Sequence, residues 1–124
     1  MKINKWVKEI HEYAKKCGWW DGTPRSALEI HALLHSEISE ATEEVRNDKP
    51  DVYSNGQHGY IHTTKIDRIK SDNIKPDGES IELIDCMIRI MDYFGYKNWD
   101  MEKLLELKHN YNKTRSYRHG GKKY

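Results

Sequence analysis

The chain is poor in several things. Of its 124 residues only two are cysteine, three proline and one phenylalanine, and its charges nearly cancel to a formal net charge of +1. Each scarcity narrows what the protein can be. Cys17 and Cys86 stand far apart and form neither a CxxC redox pair nor a zinc-ligand cluster, so buried, reduced thiols in a cytoplasmic protein are expected. Without a global basic field, nothing drives non-specific binding to nucleic acid, and no such polymer is expected as a partner. No stretch approaches the roughly 20 apolar residues of a membrane span. The opening "MKINKWVKEIHEY" is amphipathic and lacks the apolar run of a signal peptide.

What is present is polar but able to fold. Apolar residues make up 36% of the chain and charged residues 33%, and four Trp and eight Tyr join periodic Ile and Leu, so a single domain with one modest core is expected. Ile3, Trp6, Val7, Ile10, Tyr13, Ala14 and Cys17 recur at helical spacing and are followed by Gly18, a C-terminal stop. Thr23 and Pro24 read as an N-cap and a first helical residue for a second helix, with a core stripe of Ala27, Leu34, Ile38, Ala41 and Val45. A third helix buries Ile81, Ile84, Met87, Ile88 and Met91 and is ended by Gly95, and a fourth carries Met101, Leu104, Leu105 and Tyr111 inward. The tail "SYRHGGKKY" holds too much glycine and charge to continue as helix. The fold expected is all-α, with helices at about 3–17, 24–46, 79–94 and 99–114. Residues 47–78 form an irregular insertion, in which Asn55-Gly56 could turn a small hairpin between Val52-Tyr53 and Tyr60-Ile61.

The second helix poses the functional question. At about 100° per residue, Ile30, Leu33, Glu37, Glu40 and Glu44 form one row beside the core stripe. On the third helix Glu82, Asp85 and Arg89 share a flank next to Ile81 and Ile88. Antiparallel pairing would bring Glu37 and Glu40 opposite Glu82 and Asp85. Four carboxylates at a half-buried seam repel one another unless protonated or neutralised by a cation, and hard oxygen ligands suit Mg²⁺ or Mn²⁺. The plain alternative is a pair of solvated helix faces, since acids three apart also occur at Glu9/Glu12 and Asp48/Asp51. A di-iron bundle lacks its Glu-x-x-His signature on both helices.

Three blocks bear on that choice: "GWWDGTPRSALEIHALLHSEISEATEEVR", "KPDGESIELIDCMIRIMDYFG" and "KHNYNKTRSYRHGGKK", in this order. As a set they resemble the MazG-type all-α nucleotide pyrophosphohydrolases, particularly the small stand-alone forms of bacteria and phages, and they span more than half of the chain. The resemblance implies a four-helix arrangement, usually completed by a dimer or tetramer of copies, that holds Mg²⁺ (Mn²⁺ as a substitute). It implies cleavage of a nucleoside triphosphate to monophosphate and pyrophosphate, in the cytoplasm of the cell or of a phage's host, for nucleotide pool control or removal of aberrant nucleotides. The family's E-x-x-E and E-x-x-D metal ligands, which form its catalytic centre, fall on Glu37, Glu40, Glu82 and Asp85. The gap between those motifs, residues 47–78, is longer than in the most compact members and leaves the shape of the substrate mouth open.

With that resemblance in view, the cations of the C-terminal part read as phosphate or nucleotide contacts. Lys108, Asn112 and Arg115 share one face of the fourth helix, and Arg118, His119 and Lys122 flank a Gly-Gly pair. Arg89 has two readings, a phosphate contact or an intrahelical partner of Asp85 and Asp92. Glu44 and Glu43 are candidates to orient a water, although Glu43 points well off the acidic row and reads first as a solvated face. Trp19 and Trp20 read as core before base-stacking surface, and His31 and His35 as packing or hydrogen-bonding groups before metal ligands. The hydroxyl-rich insertion carries Tyr53, His58, Tyr60 and His62, and the sequence does not decide between a lid and an oligomer contact for it. The rival from another class is a non-catalytic helical module that binds nucleotides or a protein partner.

Overall fold

A computed structural model describes residues 2–54, 66, 69, 74–121 and 123, the side chains of His119 and Gly120 excepted. The chain is helical: α1 Ile3–Lys16, α2 Ala27–Arg46, α3 Glu79–Lys97, α4 Met101–Lys113 and the single turn α5 Arg118–Gly121. The all-α, four-helix expectation is met, and the extra turn α5 forms in a tail expected to be irregular. Among the described residues the sole β feature is an isolated antiparallel bridge between Tyr53 and Asp77. No described helix is long and apolar enough to cross a membrane.

Local chemistry explains where the helices begin and end. α2 starts three residues later than Pro24 implies, because Ser26 is the working cap: its hydroxyl accepts from the Glu29 backbone N–H at 3.1 Å. Asp100 does the same for α4, accepting from Lys103 N–H at 3.0 Å. Hydrogen bonds from Asn4 and from that backbone N–H hold the Asp100 carboxyl below its ordinary value.

Three helices end in one way. After α1, Gly18 (φ 87°) donates to Lys15 O and Trp19 donates to Ala14 O, the paired bonds of a Schellman motif. Asp48 (φ 53°) and Lys49 close α2 with the same pattern, and Asn98 (φ 57°) and Trp99 close α3. α3 therefore runs through Gly95, which was expected to end it. Gly95 serves another purpose, since a Cβ there would stand 2.5 Å from Cβ of His11.

The chain divides into two units, Met1–Trp19 with Met91–Tyr124, and Trp20–Ile90, so that α3 lends its first turns to one and its last turns to the other. In the first unit α1 packs on α4. Asn4 Nδ2 donates to Asp100 Oδ1 at 2.9 Å, and Glu102 N–H donates to Asn4 Oδ1 at 3.1 Å. His11 Nδ1 meets Asp92 Oδ1 at 2.7 Å, and Trp99 packs edge-on against Tyr93 and Phe94. In the second unit α2 and the start of α3 are joined by side chains, and Tyr53 and Asp77 exchange both backbone hydrogen bonds at 2.9 and 2.8 Å. That exchange pins the two ends of the insertion together. The proposed turn at Asn55-Gly56 and its second arm lie outside the described residues, and the first arm's Tyr53 pairs with Asp77.

The buried faces differ from those that periodicity gives. On α2 the buried residues are Ile30, Glu37 and Ala41, whereas Ile38 and Val45 are exposed. On α3 Cys86 and Tyr93 are buried, and Ile84, Met87 and Ile88 of the expected core stripe are 40–48% exposed. α4 buries no residue, so Leu104, Leu105 and Tyr111 face outward in part, and Tyr13 and Trp19 are also exposed. Cys86 is a buried free thiol as expected, but Cys17 is exposed. The physical reason is shared: a periodic stripe shows which face is apolar, but a single chain of four helices has too little facing surface to cover all of them.

Candidate functional site

The second unit holds the acidic groups. α2 presents Glu37 and Glu40 one turn apart, α3 presents Glu82, and one carboxylate oxygen from each lies within 4.8 Å of the others. Burial is graded across the three: Glu37 is buried, Glu82 intermediate and Glu40 exposed. The cluster thus opens to solvent at Glu40 and is closed behind Glu37. Asp85 stands outside this group of three but feels it, because burial and then the Glu37 carboxylate raise its pKa, against lowering by Arg89 and Lys75.

Crowding has the expected consequence. The carboxyl of Glu82 is pushed up to about 7, first by burial, then by a hydrogen bond with Glu40 and by repulsion from Glu40, Asp85 and Glu37.

Glu37 is neutralised differently. Arg89 Nε donates to Glu37 Oε1 at 2.6 Å from α3 to α2, with side-chain exposures of 41% for Arg89 and 8% for Glu37. Neither reading of Arg89 from the sequence included this partner. An i−4 acid was visible in the sequence, whereas Glu37 lies 52 residues away.

Tyr53, read from the sequence as part of the insertion, has a specific partner. Tyr53 is 5% exposed, and its hydroxyl donates to Glu44 Oε2 at 2.9 Å. Burial and this bond push the phenol up to about 12, so it stays a donor throughout the physiological range. Glu44 therefore anchors the start of the insertion to the acidic row. At its other end Gly78 (φ 117°) lies so close that a Cβ would fall 2.4 Å from Asp51 O, and Ser80 Oγ donates to that same carbonyl at 2.8 Å.

The cationic candidates of α4 and the tail belong to the other unit. Lys108 and Arg115 lie over the Tyr111 ring at 5.0 and 5.9 Å, and Arg118 lies over Tyr117 at 5.5 Å. Asn112 is exposed on α4; the His119 side chain and Lys122 are outside the described residues. That unit also carries a groove of about 540 Å³ lined by Lys8, His11, Lys15, Phe94 and Trp99 among others, and none of the expected site residues lines it. His31 and His35 are exposed on α2, apart from the three-acid group.

Chemically, three carboxylates converging on one point are a donor set for a hard divalent cation. The donor atoms are carboxylate oxygens, the ligand type that hard divalent cations take. No family model matches this chain, and no curated protein or solved structure matches it.

Proposed function

We propose that the protein is a Mg²⁺-dependent nucleoside triphosphate pyrophosphohydrolase, with Glu37, Glu40 and Glu82 as the core of its cation site and Asp85 beside them. The observation that carries this reading is the grouping of three carboxylate oxygens within 4.8 Å, around a buried glutamate, at the seam of two helices. Solvated helix faces do not require that convergence. They would leave each carboxylate in water at its ordinary pKa, not push one up to about 7.

In this reading a bound divalent cation supplies charge neutralisation of the triphosphate and acidification of a water. The chain's own groups do the rest. Glu40, on the open side, meets the incoming ligand first, while Glu37 is held in place from behind. Glu82 is crowded by Glu40, Asp85 and Glu37, and arriving positive charge relieves that repulsion. Hydrolysis at the phosphorus that joins the nucleoside to the pyrophosphate group releases monophosphate and pyrophosphate. Lys108, Asn112, Arg115, Arg118 and His119 are proposed as phosphate- or nucleotide-binding groups of the first unit. The exposed Ile38, Val45, Leu83, Ile84, Met87 and Ile88 of the second unit support self-association into a dimer or tetramer, which would cover apolar surface that one copy leaves in water.

The test is substitution at the open carboxylate. Glu40→Gln removes a ligand charge at an exposed position, so it is expected to abolish metal-dependent turnover of nucleoside triphosphates with the helical circular dichroism unchanged. Near-normal turnover in that variant would remove the cation site from these residues. Failure of the unaltered protein to turn over any nucleotide would favour a non-catalytic binding module.

A further inference from the structure

The acidic group of the second unit is not without positive charge, and the position of that charge has a consequence. Arg89 Nε lies 2.6 Å from Glu37 Oε1, and Glu37 is one of the three residues whose oxygens converge. A guanidinium N–H and a hard cation compete for the same carboxylate lone pairs. With its side chain 8% exposed, Glu37 cannot stand ionised without a partner at low cost. With 41% of its side chain exposed, Arg89 can leave and be solvated where it stands. The two ends of this pair are therefore unequal: one must be neutralised, and the other is free to go.

We infer that Arg89 is the exchangeable counter-ion of this site, holding Glu37 when no divalent cation is bound and yielding that carboxylate when one arrives. The inference rests on the reading of Glu37, Glu40 and Glu82 as a cation site and adds a control to it. Arg89 occupies the Glu37 carboxylate, so the cation affinity of the protein is set by a competition rather than by the carboxylates alone. Among the described residues, Lys75, which also lowers the Asp85 pKa, is held by Asp77, 3.6 Å from its Oδ1, on an 85% exposed side chain.

The experiment measures binding, not turnover. Mn²⁺ alone is titrated into the full chain and into Arg89→Met, Arg89→Lys and Glu40→Gln, with free ion followed by electron paramagnetic resonance. Arg89→Met is expected to bind Mn²⁺ at least tenfold more tightly than the unaltered protein, with Arg89→Lys between them. Melting in EDTA is expected to show Arg89→Met destabilised, and saturating Mn²⁺ is expected to erase that deficit. Equal or weaker binding by Arg89→Met, with Mn²⁺ bound by the unaltered protein and lost in Glu40→Gln, would overturn the exchange and leave the cation site standing. No Mn²⁺ binding by the unaltered protein or by Arg89→Met would overturn both.

A measurement on the unaltered protein covers the case in which Arg89→Met does not fold. The Nε–H proton resonance of Arg89 is expected to be shifted downfield and protected in EDTA, and to move to the position of a solvated arginine as Mg²⁺ is added. A resonance unmoved at saturating Mg²⁺ would overturn the exchange.

Discussion

Glu40 on α2 and Glu82 on α3 bring carboxylate oxygens within 4.8 Å of each other, and burial together with Glu40 pushes the Glu82 carboxyl up to about 7. With its pKa raised, Glu82 in the folded protein keeps a proton that the unfolded chain would release above about pH 4.5. The sign follows from linkage. Between about pH 4.5 and 7 the folded state binds more protons, so this group's contribution to stability falls as pH rises, and the full penalty is present above 7.

Glu82→Gln supplies a permanent amide donor to Glu40 and removes the titration. In EDTA its melting temperature is expected to match that of the unaltered protein near pH 4.5 and to exceed it by roughly 5 °C at pH 8. A difference that does not change with pH would mean that Glu82 titrates normally and that the acids are not crowded.

Tyr53 and Glu44 give a second test. Tyr53→Phe keeps the buried ring but strips the donor from a half-buried carboxylate at 2.9 Å. A cost of about 1–2 kcal/mol is expected, read as a fall of roughly 3–8 °C in melting temperature. An unchanged melting temperature would show that the insertion is not anchored through this bond.

Gly95 tests the packing of the first unit. Its α-carbon faces His11 so closely that an added methyl would stand 2.5 Å from Cβ and 2.8 Å from Cγ of that residue. Gly95→Ala raises helix propensity, which by itself would stabilise α3 by about 1 kcal/mol. Overpacking is expected to win, with a net loss of about 1–3 kcal/mol seen in urea unfolding. A stabilised variant would show that α1 and the end of α3 are not in this contact.

These sites also show what the sequence makes legible. The E-x-x-E on α2 and Glu82 on α3 are visible because spacing within a helix fixes the face, and a flank next to an apolar stripe is a half-buried place. The stop at Gly18 is equally local. Arg89 on Glu37 and the bridge from Tyr53 to Asp77 are not legible, because they join residues 52 and 24 positions apart and depend on how elements meet. Gly95 misleads for the same reason: a glycine at a helix end and a glycine under a neighbouring helix look alike in sequence. The exposed Ile84, Met87 and Ile88 carry the same lesson, since periodicity reports an apolar face and not what covers it.

The most direct measurement is analysis of products after the purified protein is incubated with a panel of ribo- and deoxyribonucleoside triphosphates, in Mg²⁺ and in EDTA. Monophosphate and pyrophosphate appearing in Mg²⁺ and absent in EDTA is the predicted result. Diphosphate with orthophosphate would contradict the cleavage position, and no turnover across the panel by the folded protein would contradict the proposed activity itself.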